Sequence, residues 1–598
     1  MADSSVRGSA PTAGQVARAR VSYDWLTGMD GALHWVESSP ESGRAVVVTW
    51  RPEWNPPDVD ISRLDGANVG SSLHAYGGMP YAIHPSAGAV MVNGSTGLLA
   101  VDIAKAKTAH VYGDLTQNSD ELICVREDEA GDELVAVDIM SGGLRVLLAT
   151  NGFFASPRPS AGQLAWIQWG RGAMPWDSSE LWVAEYRPGW PVGRKVKIAG
   201  GSDESVVQPQ WDADGNLYFL SDRSGWWNLY RWRNGQADEI APMVAECAAA
   251  PWESSYANYV ILPRRRIGLV FQRGPRFGLV IVEPDGRMNP ISLPYTAIKP
   301  HVAAIDDRIA LIGASPTSSQ QIALVSTDGS DKLEVIRQGA ASVTEAASIS
   351  VPETIQVPSR DVNLTVLFYP PTSKHGPAPM IVRPHPGPTY HSDLRLDWEV
   401  QFFTSRGFAV ADVDYRGSTG YGREFRKSLD GQWGRLDVED CRLVAMHLLA
   451  TGRACPSGVF ISGASAGGFT ALRAACEDGP FLLAVARSAI VDPVKWMVTA
   501  PRFQRPHARI LSSDGARVTP DRVRCPVLLI HGSRDDVAPI NEVVELATAL
   551  DRRGRLSGML ALDGVGHYIS TPTAISVALE AELQAYLDVI RNGGHSLP

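Results

Sequence analysis

The chain has 598 residues, 44% of them hydrophobic and 20% charged, with a formal net charge of -10. Such a length accommodates two or more domains with their own cores, and the composition is that of an ordinary globular protein. The negative balance argues against nucleic acid or an anionic membrane as the main partner. Pro263-Arg264-Arg265-Arg266 is the densest basic cluster. It lies between apolar runs and reads as a solvated turn.

Met1 to Val21 is rich in Ala, Ser and Gly and carries several arginines, but has no apolar core of the kind a secretory signal needs. No stretch approaches the roughly 18 apolar residues of a membrane span. None of the six cysteines forms a C-x-x-C pair. The expectation is reduced thiols in a cytoplasmic protein. There is no H-E-x-x-H and no P-loop, so neither metal nor cofactor is called for. Gly417 to Gly422 is glycine-rich but does not fit the dinucleotide fingerprint, and reads as a loop.

From about Trp35 to Gly339 short apolar strands alternate with turns, and helical periodicity is nearly absent. Ala89 to Val92 leads to Leu98–Asp102, Leu122 to Val125 leads to Leu134–Asp138, and Leu164 to Ile167 leads to Leu181–Glu185. The unit recurs roughly every 40 to 50 residues, the period of four-stranded propeller blades. About seven units predict a seven-bladed β-propeller. Composition turns to Ala, Ser and Glu between Gly339 and Pro352. The division expected is an N-terminal extension over 1–30, a propeller over 31–345 and a second domain over 346–598.

After Val351 strands alternate with helices. Strands are expected at Leu364–Phe368, Met380–Val382, Ala409–Val413, Val527–Ile530 and Met559–Leu562, with helices at Trp398–Arg406, Val438–Thr451, Asn541–Arg552 and Thr573–Arg591. This alternation implies an α/β domain with a doubly wound, mostly parallel sheet, whose chemistry sits on loops at the C-terminal strand ends.

The stretch Gly458 to Gly468 carries the strongest chemical signal. Val459-Phe-Ile461 fits a buried strand, and small residues then force a tight turn into a helix. Ser465 sits at the tip, with Gly463 and Gly467 where side chains would collide. G-x-S-x-G arises by chance in a chain with 56 glycines, so its context has to carry it. A serine hydroxyl needs a base, and the base an orienting carboxylate, in the chain order Ser, acid, His for this fold class. After the strand ending at Ile530 come Asp535 and Asp536; after the strand ending at Leu562 comes His567 on a glycine-rich loop. The reading favours Asp535 as the acid and leaves Asp536 to contact the Val537-Ala-Pro539 turn. An oxyanion needs two donors. One is the Ala466 N–H; the other belongs to the loop His385-Pro-Gly-Pro388 after the Met380–Val382 strand.

Together with Trp211 to Tyr230, Met174 to Asp177, Asp414 to Gly422, Trp433-Gly434 and Asp437 to Asp440, these residues resemble the prolyl oligopeptidase family of serine peptidases, in its acylaminoacyl-peptidase and dipeptidyl-peptidase-like branch. The resemblance covers nearly the whole chain. It implies an α/β-hydrolase domain under a propeller that admits only small or unfolded chains, and a triad of Ser465, Asp535 and His567. The family loop usually reads His-Gly-Gly-Pro. Here Pro386 offers no N–H, so the second donor is the Gly387 N–H or the side chain of His385. The stretch from Ser488 to Asp514 departs from the family pattern; Trp496 there either lines the substrate pocket or packs. Dipeptidyl-type relatives hold a free amine with propeller glutamates, for which Glu204 is the candidate here.

The leading expectation is a serine peptidase acting near the N-terminus of short peptides or peptide-like amides, with a homo-oligomer left open. Its rivals are an aminopeptidase or amidase for one aminoacyl small molecule, an esterase with the same triad, and a silent propeller that binds partners. The propeller counts against the esterase, and the silent protein requires a lost triad member, of which there is none.

Overall fold

The computed structural model describes residues 10–53, 60–61, 68–84, 88–94, 99–100, 110–330, 332–339, 343, 348–372, 376–513 and 515–592. The chain forms two compact units, one of Ser22–Ala314 with Gln320–Gln338, the other of Met1–Val21, Ser315–Ser319 and Gly339–Pro598. The expected boundary at 345/346 lies outside the described residues. The segment 1–30, expected as an extension, divides. Ala13–Arg18 is a helix capped by a Thr12/Gln15 capping box, and its Ala13, Val16 and Ala17 join the core of the second unit. Ser22–Met29 is a sheet strand of the first.

The first unit is a β-propeller. Six sheets of four or five antiparallel strands follow one another, together with a three-stranded sheet of Tyr81–His84, Gly88–Val92 and Leu99–Ala100. Of the strand expected at Leu98–Asp102, only Leu99–Ala100 falls among the described residues. Four blades share a device that strand periodicity does not reveal. Their first strands shift register at Asp24/Thr27, Gly113/Thr116, Ala155/Arg158 and Val207/Gln210. Each bulge holds a residue at positive φ: Trp25 (57°), Asp114 (56°), Ser156 (51°) and Gln208 (57°). A bulge bends a strand and sharpens its twist, and its recurrence marks these blades as one repeated unit. The basic cluster is an exposed single turn, Pro263–Arg265.

The second unit is built on eight strands: β1 (Glu353–Ser359), β2 (Val362–Tyr369), β3 (Ala378–Pro384), β4 (Ala409–Asp414), β5 (Ala454–Ala464), β6 (Leu483–Arg487), β7 (Val527–Gly532) and β8 (Leu556–Leu562). They lie in the order β1-β2-β4-β3-β5-β6-β7-β8. β1–β2 and β2–β4 pair antiparallel, and all later pairs are parallel. Side chains alternate between two cores, as period 2 requires. Met380, Val382, Val459 and Ile461 face one core with helices Leu436–Ala450, Ala466–Ala474 and Ile540–Asp551. Ile381 and Phe460 face the other, with helices Trp398–Thr404 and Pro572–Arg591. Apolar faces on both sides explain why these strands read as nearly continuous hydrophobic runs.

An ionic knot crosses the second core. Arg487, at the end of β6, donates to Glu582 on the closing helix and to Glu399 on helix Trp398–Thr404, the latter at 2.9 Å. Arg20 also pairs with Glu399, and Tyr586 donates to Glu582 at 2.5 Å. Burial opposes the charge on Arg487, but Glu582 and Glu399 outweigh it and raise its pKa. Removing one member of such a knot strands the others. Arg487→Leu is expected to destabilise the protein by about 3–5 kcal/mol in urea unfolding. A loss below about 1 kcal/mol would show the pairs to be solvent-screened.

Candidate active site

β5 delivers the chain to Ser465, whose φ of 52° and ψ of -117° lie where side-chain-bearing residues are rare. The helix Ala466–Ala474 starts at the next residue. Two glycines make the turn possible. A Cβ on Gly463 would lie 2.2 Å from the Gly467 carbonyl oxygen, and one on Gly467 would lie 2.4 Å from the Pro384 oxygen. The Ser465 N–H donates to the Arg487 carbonyl at 2.9 Å, tying the tip to β6. The tight turn expected of the small residues is thus no longer than the serine itself, since the helix begins directly after it.

Three residues from three strand ends meet here. His567 Nε2 lies 3.0 Å from Ser465 Oγ, and His567 Nδ1 lies 2.9 and 3.0 Å from the two carboxylate oxygens of Asp535. Because carboxylate oxygens only accept, the Nδ1 facing them carries the proton, which leaves Nε2 of the neutral ring to accept from the serine hydroxyl. The loops bearing Asp535 and His567 are laced together. Arg534 N–H donates to Val565 O and Ser533 N–H to Leu562 O, both at 2.9 Å. A Cβ on Gly532 would lie 2.4 Å from the Val565 and Gly566 oxygens, so only glycine allows this approach.

Asp535 is buried and Asp536 exposed. The turn contact expected of Asp536 belongs to Asp535, whose Oδ1 accepts from the Val537 N–H at 3.0 Å and the Ala538 N–H at 2.8 Å. His531 Nε2 lies 3.2 Å from the other Asp535 oxygen and 2.7 Å from the Ala538 carbonyl. Sequence reasoning misses His531; its place four residues before Asp535, at the end of a buried strand, is the available signal. Burial alone would raise the Asp535 pKa. Hydrogen bonds from His531 and His567, the His567 charge and the Ala538 N–H outweigh burial and hold it below the carboxylate range.

The remaining candidates are placed as follows. Trp496 is buried against Trp433, and its Nε1–H donates to the Val537 carbonyl at 2.9 Å, so it props the acid loop. Glu204 belongs to the propeller unit, where its Oε1 accepts from Arg223 at 2.6 Å and from Ser221 at 2.6 Å. The His385 ring stacks on Tyr415 at 4.2 Å, with Nδ1 on the Gly387 carbonyl and Nε2 2.7 Å from Ser418 Oγ. Burial depresses its pKa to about 3, so the ring is neutral and committed to its own loop. The Ala466 N–H donates to the Pro386 carbonyl at 3.0 Å.

Of groups with metal-ligand character among the described residues, His74, Glu127 and Asp132 of the propeller bring ligand atoms within 4.8 Å of one another. They serve a local fold: His74 Nε2 lies 2.7 Å from Asp132, its N–H donates to Glu127, and Asp132 also accepts the Phe154 N–H.

Asp535→Ala would leave the buried Val537 and Ala538 N–H groups and the Nδ1–H of His567 without their acceptor. It is expected to cost about 2–4 kcal/mol in urea unfolding, against about 0.5 kcal/mol or less for Asp536→Ala. Since the Asp535 pKa is depressed, its contribution is complete above about pH 4 and disappears as pH falls through the lower folded value.

The family model described as the prolyl oligopeptidase family matches residues 394–592. The chain is 26% identical over 240 residues to an uncharacterized peptidase of Bacillus subtilis, covering 37% of this chain and 36% of that protein. It is 30% identical over 196 residues to the acylamino-acid-releasing enzyme of Homo sapiens, covering 29% and 26%. The match thus spans about a third or less of these curated relatives' length. Among solved structures, a puromycin-hydrolyzing peptidase of Mycobacterium tuberculosis superposes with a TM-score of 0.90 at 28% identity, covering 98% of this chain and 97% of that one. A puromycin hydrolase gives 0.91 at 26%, covering 98% and 96%.

Proposed function

We propose that this chain, which carries a prolyl oligopeptidase family domain over residues 394–592, is a serine peptidase that hydrolyses amide bonds near the N-terminus of short peptides. The observation that carries the reading is the relay from Ser465 Oγ through His567 to Asp535, at 3.0 and 2.9 Å. In it His567 takes the serine proton as Oγ attacks the amide carbonyl, and Asp535 steadies the imidazolium. The tetrahedral oxyanion is held by the Ala466 N–H and by the Gly387 N–H rather than by the committed ring of His385. His567 then protonates the leaving amine, and water, deprotonated by the same histidine, releases the acyl group from Ser465.

A second reading is an amidase for an aminoacyl small molecule such as puromycin. What favours it is coverage: the likeness to the puromycin hydrolases runs over 97% and 96% of their length. We further read the propeller as seven-bladed, counting the three-stranded sheet with the six larger ones, and divide the chain at 345/346. We place the protein in the cytoplasm. All six cysteines are unpaired, and no helix among the described residues is long and apolar enough to cross a membrane.

The test is a panel of aminoacyl, dipeptidyl and N-acylaminoacyl p-nitroanilides, puromycin and a p-nitrophenyl ester, with Ser465→Ala as control. The peptidase reading expects amide turnover that falls about a thousandfold or more in the variant. Turnover of puromycin alone among the amides would favour the second reading. Amide turnover untouched by Ser465→Ala would overturn both.

A further inference from the structure

We propose that the Pro386–Gly387 peptide is a two-position gate that fills the oxyanion hole at rest and, on turning, builds it. The proposal rests on the serine peptidase reading. In that chemistry the N–H after the nucleophile must face the developing oxyanion. Here the Ala466 N–H is already taken by the Pro386 carbonyl at 3.0 Å. A carbonyl oxygen stands where the substrate oxyanion has to sit, and its partial negative charge opposes that oxyanion.

The peptides on either side are anchored. Tyr415 Oη lies 3.1 Å from both the His385 and the Gly387 carbonyl oxygens, and Tyr415 is fully buried. The Gly387 oxygen also accepts from the His385 ring. The Pro384 and His385 carbonyls press so closely on Gly467 that a Cβ there would lie 2.4 and 2.8 Å from them. Between these anchors, Pro386 is exposed, and among the described residues its carbonyl bonds only the Ala466 N–H. The Gly387 N–H has no hydrogen-bond partner among the described residues.

The local sequence permits the turn. Proline followed by glycine suits both type I and type II turns, which share the proline φ near -60° and differ by rotation of the central peptide through about 180°. The second form needs φ of about +80° at the following residue, which glycine supplies without strain. Rotation about Pro386 ψ and Gly387 φ therefore moves one peptide and spares its anchors. It withdraws the Pro386 oxygen from Ala466 and aims the Gly387 N–H toward the same space. One motion yields both donors, and proline loses nothing by lacking an N–H.

The test is a pair of crystal structures of the wild-type full chain, free and with a short peptide boronic acid bonded to Ser465. The expected free structure keeps the Pro386 oxygen on the Ala466 N–H. In the complex the Ala466 and Gly387 nitrogens should both lie about 2.7–3.1 Å from one boronate oxygen. A complex that retains the Pro386–Ala466 bond, or a free enzyme with the Gly387 N–H already turned in, overturns the gate while leaving the peptidase reading intact. No boron–oxygen bond at Ser465 overturns the peptidase reading itself, and the gate with it. In solution, Gly387→Ala disfavours the turned form. It should lower kcat on an amide about a hundredfold with KM within about threefold, at an unchanged melting temperature. Wild-type kcat in that variant also overturns the gate.

Discussion

The second unit depends on a conformation that a serine does not choose. At φ 52° and ψ -117°, Ser465 sits in a region that costs on the order of 1–3 kcal/mol and persists only when its surroundings over-determine it. The surroundings do so. Gly463 and Gly467 let backbone approach backbone at distances no side chain would tolerate, and β6 accepts the Ser465 N–H. The hydroxyl is thereby lifted off the C-terminal edge of the sheet, the one place where loops from β7 and β8 can also reach it.

Charge is managed on both sides of that edge. Asp535 stays ionised in a buried position because two backbone N–H groups and two histidines surround it. Trp496 and the lacing between the acid and histidine loops keep those donors still. On the opposite face Arg487 neutralises Glu582 and Glu399 while its own carbonyl holds the serine peptide. The same residue therefore links the buried ionic knot to the geometry of the elbow. The loop after β3 completes the picture: Ser418 holds the His385 ring and Tyr415 the His385 and Gly387 carbonyls, on either side of the Pro386 carbonyl that meets the Ala466 N–H.

Much of this was legible in the residues. Apolar runs with a few flanking small residues located β2, β3, β4, β5, β7 and β8, because strands buried on both faces need apolar side chains throughout. β6 went unread: Leu483–Arg487 is five residues long and ends on a charged arginine whose partners are remote in sequence. Glu353–Ser359 went unread because it is an edge strand with mixed exposure. The order of serine, acid and histidine could be read because the fold class dictates it. The split between Asp535 and Asp536 could be read only in part, since which carboxylate caps a turn depends on burial. The commitments of His385 and Glu204 were hidden for the same reason: their partners, Tyr415 and Arg223, are set by tertiary packing. The repeated bulges in the blades leave no hydrophobic trace at all, since the bulged residues are as different as Trp25, Asp114, Ser156 and Gln208.

The most direct test of the central claim is covalent. A fluorophosphonate reacts only with a serine whose hydroxyl is exposed at a tip and deprotonated by a neighbouring base, so peptide mapping by mass spectrometry reports the whole arrangement at once. The account predicts one adduct, on Ser465, that is lost when His567 is replaced by alanine. An adduct on another serine, or labelling of Ser465 that persists without His567, would contradict it.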